Sequence, residues 1–202
     1  GDALRIAAAR IPGRLVALQD ECVAMLLGPS EVTRAEAILP EIARHVRGSQ
    51  PILAVGDVAE RAQRYLDSLR SAQKVLRVAR FLGLEASVMR SEDVGIYGLL
   101  FDEARSEELE AFRQRVLDKL LQSDNKGLLW ETLECLWTQN FNLEATARSL
   151  GIHISTLRYR LDRIRAAAGL DWADPALRLQ LEIAVVVERW RRTGAGAGAP
   201  QP

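Results

Sequence analysis

Residues 142–161 read NLEATARSLGIHISTLRYRL, two short helices around a tight turn. Asn142 is a good N-cap, and Glu144 and Ala145 suit a first turn. Leu143, Ala147 and Leu150 fall near helical spacing and make one apolar face. Gly151 follows directly, where a helix end favours a residue that tolerates positive φ. Ala147 and Gly151 stand four apart, the first small enough for close helix approach and the second free to turn sharply. Ile152 is expected to plug the gap between the helices. A second helix begins near Ile154 or Ser155, with His153 or Ser155 as its cap. Its apolar face is Leu157, Leu161 and Ile164, and its other face shows Thr156, Arg158, Tyr159, Arg160 and Arg163.

That is the pattern of a helix-turn-helix, whose second helix enters the major groove by its N-terminal part. His153, Ser155, Thr156, Arg158 and Tyr159 are the candidates for base edges or nearby phosphates. Arg148, Arg160, Arg163 and Arg165 are the candidates for phosphate neutralisation, which supplies affinity but little sequence information. Between Arg148 and Arg165 the only acid is Asp162. The competing reading is an arginine-rich surface helix in a helical hairpin, since arginine is itself a good helix former.

The charge is local. The chain of 202 residues holds 27 Lys plus Arg and 27 Asp plus Glu, a formal net charge of zero. Whole-chain electrostatics therefore do not predict a nucleic-acid partner; only the local cluster does. Hydrophobic content of 48% with 27% charged residues describes a soluble globular protein, and its length allows one large or two small domains. Cys22 and Cys135 lie far apart among apolar residues, with no metal-type spacing, and read as buried free thiols. No signal peptide or membrane-spanning apolar run is evident, so a cytoplasmic location is expected. The Gly/Ala/Pro-rich stretch 193–202 reads as a disordered tail.

The first half mixes strands and helices. Residues 3–10 suit a short helix. Residues 14–18 (RLVAL) and 22–27 (CVAMLL) suit a hairpin. Residues 30–47 have helical periodicity, with Pro40 implying a kink or a restart. Residues 51–55 (PILAV) suit a strand, Asp57 a cap for a helix running to Leu82 and Gly83, and residues 85–89 a last strand. One sheet of three or four strands is expected, and a strand preceding Gly1 would complete it. The second half is all helix. Ser106 caps a helix to about Gln122, residues 127–139 form another with Leu128, Leu129, Leu133 and Leu136 inward, and Asp174-Pro175 opens the last. Trp130 and Trp137, seven apart, suit inter-helix packing, with a dimer interface as the alternative. The fold class is α+β: an α/β sheet domain over 1–101, an all-α helix-turn-helix domain over 102–192, and the tail 193–202.

The run ETLECLWTQNFNLEATARSLGIHISTLRYRLDRIRAAAGLDWADPALRLQLEIAV, residues 131–185, resembles the C-terminal domain of PucR/CdaR-type bacterial transcriptional regulators. Its helical pair is also similar to the Fis-type motif. The recognition segment resembles that family's HRNTLRYRL pattern, with Ile154 and Ser155 where the family has Arg and Asn. Ile154 cannot hydrogen-bond a base but could touch a thymine methyl. The resemblance implies DNA contact by the polar matching residues, His153, Thr156, Arg158, Tyr159 and Arg160. It also implies an effector sensed by an N-terminal region outside this chain. A single helix-turn-helix makes few contacts, so operator binding as a homodimer is expected, and the mechanism needs no cofactor. The first half resembles, less specifically, the partial GGDEF-like domain of these regulators, with the same implication of a missing first strand.

A catalytic GGDEF domain needs glycines close to nucleotide phosphates and acids to hold metal. The hairpin tip here is Gln19-Asp20-Glu21-Cys22, without the two glycines, so the domain is read as degenerate and no enzyme is expected. His45 and His153 are the only histidines, and neither suggests a catalytic pairing. The rival from another class is a protein–protein module whose helix-turn-helix is only a scaffold.

Overall fold

The computed structural model describes residues 15–19, 22–45, 51–169 and 171–193. The helix expected at 3–10, the hairpin tip Asp20–Glu21, the His45 side chain and residues 194–202 of the tail lie outside them. The chain divides into two compact units, Gly1–Phe101 and Asp102–Pro202.

In the first unit, β1 (Leu15–Gln19) and β2 (Cys22–Leu26) pair antiparallel, from Leu15 opposite Leu26 to Gln19 opposite Cys22. Helix α1 (Pro29–His45) follows, and Gly28 N–H donates to Glu31 Oε2 at 2.6 Å to secure its start. Ala35, Leu39 and Ile42 form its buried stripe at helical spacing. Pro40 lies within this one helix on its exposed side, so the restart expected there does not occur. Strand β3 (Leu53–Val55) pairs in parallel with β4 (Val88–Arg90), and α2 (Tyr65–Phe81) is the crossover between them. Val75, Val78, Ala79 and Phe81 of α2 are buried, as is Met89 of β4. Gly56 permits the close approach at the end of β3. A Cβ there would lie 2.3 Å from Ser68 O and 2.7 Å from Ala72 N. After the short α3 (Ile96–Leu100), Phe101 packs edge-on to Phe81, with ring centroids 5.3 Å apart.

Four expectations for this unit are corrected. The strands form two separate two-stranded sheets among the described residues, not one sheet of three or four. Alternation reveals that a run is extended but not which edge it joins. Asp57 does not cap α2, which begins eight residues later after a 3-10 turn at Ala62–Arg64. Its backbone instead ties β3 to α2: Ser68 Oγ donates to Asp57 O at 2.6 Å, and Asp57 N–H donates to Ser71 Oγ at 3.1 Å. Strand β4 starts later than expected because Ala86 adopts φ +44°, which breaks the extended run. Cys22 is half-buried rather than buried, its sulfur accepting from Arg80 Nη2 at 3.3 Å.

The second unit contains α4 (Ser106–Ser123), α5 (Leu128–Thr138), α6 (Leu143–Ser149), α7 (Ile154–Ala168) and α8 (Pro175–Arg192). Leu117, Leu120, Leu133, Leu136, Leu157, Ile164, Leu181 and Val185 are fully buried at its centre. The Asp174 carboxylate caps α8 by accepting from Ala176 N–H at 2.8 Å, with Pro175 in the first turn. Ser106 is the first helical residue of α4 rather than its cap, which is Arg105. The early charge complement comes from Glu107 and Glu108. Leu128 is 39% exposed where burial was expected, and Trp130 takes the inward place. Cys135 is half-buried, its Sγ facing Thr146 O at 3.9 Å.

An aromatic and arginine seam joins α5 to α8. Arg192 lies over Trp130 at 4.5 Å and Arg189 over Trp137 at 4.9 Å, while Arg189 Nε also meets Glu134 at 2.9 Å. Helix α4 is clasped to α8 by charge. Arg113, itself buried, pairs with the fully buried Glu188 at 3.4 Å and with Glu110 at 2.7 Å. Arg191 and Arg192 complete the set around Glu188 at 2.9 and 2.6 Å. Burial alone would raise the Glu188 carboxyl, but the hydrogen bonds from Arg191 and Arg192 outweigh it and hold the group below the ordinary carboxylate range.

Removing one partner of a buried ion pair leaves the other charge uncompensated, so Glu188→Ala is expected to cost about 3 kcal/mol in urea unfolding at neutral pH. Because the folded carboxyl titrates below the unfolded one, the contribution of Glu188 is complete above the unfolded value near 4.5 and is lost as pH falls through the lower folded value. The deficit of the variant is therefore expected to be constant from pH 6 to 8 and to shrink as acid protonates Glu188, as paired urea titrations at each pH would show.

Candidate nucleic-acid interface

The site is built by α6, the turn after it and α7. Asn142 has extended backbone angles (φ −80°, ψ 110°), and its side chain accepts from Ala145 N–H at 3.0 Å. Thr146 is buried and returns its hydroxyl to Asn142 O at 2.7 Å. The end of α6 closes with Ile152 N–H on Ala147 O at 3.0 Å and Gly151 N–H on Arg148 O at 3.2 Å. Gly151 sits at φ +64°. A Cβ there would meet nothing within 4 Å, so the demand for glycine comes from the backbone angle and not from crowding. Ala147 is buried, and Ile152 packs half-buried against the core as the plug between the helices.

His153 caps α7 (φ −70°, ψ 148°). Leu157, Leu161 and Ile164 are buried on the inner side of α7, which packs on α4, α5 and α6. The inward stripe sets the rotation of the helix, and the polar residues follow outward. His153, Ser155, Thr156, Arg158, Tyr159 and Arg163 are all exposed, as is Arg148 on α6. Tyr159, a large ring, is 64% exposed.

The arginines divide into two groups. Arg148, Arg158 and Arg163 make no hydrogen bond, ion pair or ring contact among the described residues. Arg160 is half-buried and donates from Nη1 to Thr132 Oγ1 at 3.2 Å; that hydroxyl in turn donates to Leu128 O at 2.6 Å. Arg165 stacks over Trp172 at 4.2 Å and faces Asp162 at 3.5 Å and Asp171 at 3.9 Å. Ile154, the departure from the resemblance, is half-buried against the core. Thr132, which holds Arg160, carried no signal in the sequence beyond its place on α5.

The geometry is that of a helix-turn-helix with a polar, cation-bearing outer face. Residues 129–187 match the PucR C-terminal helix-turn-helix domain. The match spans α5 from Leu129 to within α8. The Carbohydrate diacid regulator of Escherichia coli (strain K12) is 37% identical over 93 residues. That alignment takes in 46% of this chain but 24% of the regulator. Among solved structures, the Regulator of Polyketide Synthase Expression from Bifidobacterium adolescentis aligns over 94% of this chain and 78% of its own, at 23% identity and a TM-score of 0.38. So loose a likeness informs neither fold nor function. No helix among the described residues is long and apolar enough to cross a membrane.

The two arginine groups are expected to separate in stability. Arg160→Ala removes a charged donor from the buried Thr132 hydroxyl and should cost about 1–2 kcal/mol in urea unfolding. Arg158→Ala, on an exposed face and without partners among the described residues, should stay within about 0.5 kcal/mol of the parent.

Proposed function

We propose that this chain is the DNA-binding part of a cytoplasmic transcriptional regulator of the PucR/CdaR type. It grips operator DNA through α6 and α7, as a homodimer on two half-sites, since a single such unit makes few contacts. The observation that carries the reading is that Arg148, Arg158 and Arg163 have no partner among the described residues and lie on α6 and α7 with the exposed His153, Thr156 and Tyr159. Arg165, on the same helix, is by contrast met by Asp162 and Asp171. The guanidinium groups of Arg148, Arg158 and Arg163 remain available to phosphates and base edges. Arg148 and Arg163 are assigned to phosphates. His153, Ser155, Thr156, Arg158 and Tyr159 are assigned to the groove. Arg160, held by Thr132, steadies α7 and keeps further donors for a phosphate.

The PucR-type match and the regulator relative support the same reading. The first unit is assigned the role of a degenerate GGDEF-like domain that transmits a signal or dimerises, without catalysis or cofactor. The effector belongs to an N-terminal region outside this chain.

Arg158→Ala is expected to weaken cognate binding by about 1–3 kcal/mol and to relax preference at one base position. Arg163→Ala should weaken cognate and random DNA alike and lower the salt slope by about 1. Salt-titrated gel shifts distinguish the two, and unchanged affinity in both variants would remove α7 from the interface. A folded protein that shifts no genomic fragment at low salt would favour the scaffold reading instead.

A further inference from the structure

At the N-terminus of α7, two exposed side chains have their hydrogens assigned by their contact with each other. The backbone N–H of Ser155 donates to Nδ1 of His153 over 3.3 Å. An amide nitrogen can only donate, so this ring nitrogen presents a lone pair and carries no proton. A neutral imidazole then keeps its proton on Nε2, on the far side of the ring. The Ser155 hydroxyl oxygen lies 2.8 Å from the same Nδ1. With no proton on the nitrogen, the hydroxyl must be the donor in that contact. Serine has a single hydroxyl hydrogen, and here it is turned inward to the cap. What Ser155 offers outward is oxygen lone pairs, and what His153 offers is an Nε2–H.

We propose that His153 and Ser155 form a fixed donor and acceptor pair in which Ser155 reads the amino group of a base in the major groove. This rests on the DNA reading above and narrows it. Phosphate oxygens only accept, so a hydroxyl held as an acceptor finds no partner on the DNA backbone. Guanine shows two acceptors in the major groove, and thymine shows an acceptor and a methyl. The matching groups are the N6 amino of adenine and the N4 amino of cytosine. His153 is the positioning residue, because its bare Nδ1 is what consumes the serine hydrogen, and its own Nε2–H seeks a phosphate oxygen or a base acceptor. The role of Ser155 is thus set by its neighbour two residues back and not by serine chemistry, which permits both donation and acceptance.

Selection of bound sites from a random-sequence duplex pool, with the parent chain and with Ser155→Ala, tests the assignment. The parent is expected to enrich adenine or cytosine at one position where Ser155→Ala enriches no base. Replacing that base by its analogue lacking the amino group should weaken the parent roughly tenfold and leave Ser155→Ala unchanged. Identical selected sequences from the two proteins, or guanine or thymine at the Ser155-dependent position, would overturn the proposal. Nitrogen-15 spectra of the neutral His153 ring in the free protein form an independent arm. A proton on Nε2 is expected, and a proton on Nδ1 overturns the geometry. Failure of the parent to enrich any sequence would sink the DNA reading itself, while the imidazole spectrum still decides the hydrogen assignment.

Discussion

The second unit turns on the burial of one apolar stripe, Leu157, Leu161 and Ile164, along the inner side of α7. Each of these side chains gains roughly 1.5–3 kcal/mol by leaving water, so rotating α7 to expose them would cost more than any polar contact on its other face could return. The stripe therefore decides which residues face outward. Gly151 decides where the helix starts. Its left-handed backbone folds α7 back against α6 within a few residues, and Ala147 leaves room for that approach. The polar outer face of α7 is in this sense a by-product of core packing.

Charge in this unit is sorted by burial. Arg113 and Glu188 are withdrawn from solvent and paired, along with Glu110, Arg191 and Arg192. Arg165, Arg178, Arg189 and Arg192 lie over aromatic rings. A neutral chain rich in arginine thus commits many of its cations to architecture. No acid or ring among the described residues reaches Arg148, Arg158 and Arg163, a state they share with the exposed Arg115 of α4.

The first unit follows a different logic. Its α2 crossover joins parallel strands β3 and β4, and the close contact at Gly56 lets the end of β3 lie against the helix. The hydroxyls of Ser68 and Ser71 then take the backbone groups of Asp57 that the sheet leaves open. This is why Asp57, a plausible helix cap by composition, serves as an anchor instead: the chain spends residues on a 3-10 turn before α2 begins.

The sequence by itself determined what depends on near neighbours. The Asn142 cap, the Gly151 turn, the Asp174-Pro175 start and the apolar stripe of α7 are local matters of backbone angle and periodicity, and each is visible in residues fewer than eight apart. The β1–β2 hairpin was legible from its short connection, but the parallel pairing of β3 with β4 apart from it was not, because an extended run can join any edge, and the described strands form two sheets rather than one. The division among the arginines was not legible either. Arg158 and Arg160 are two residues apart and chemically identical, yet one points to solvent and the other reaches Thr132, 28 residues earlier in the chain. Only the packing of α5 against α7 brings that hydroxyl within reach, and hydrogen bonds depend on distance in space, which sequence separation does not encode.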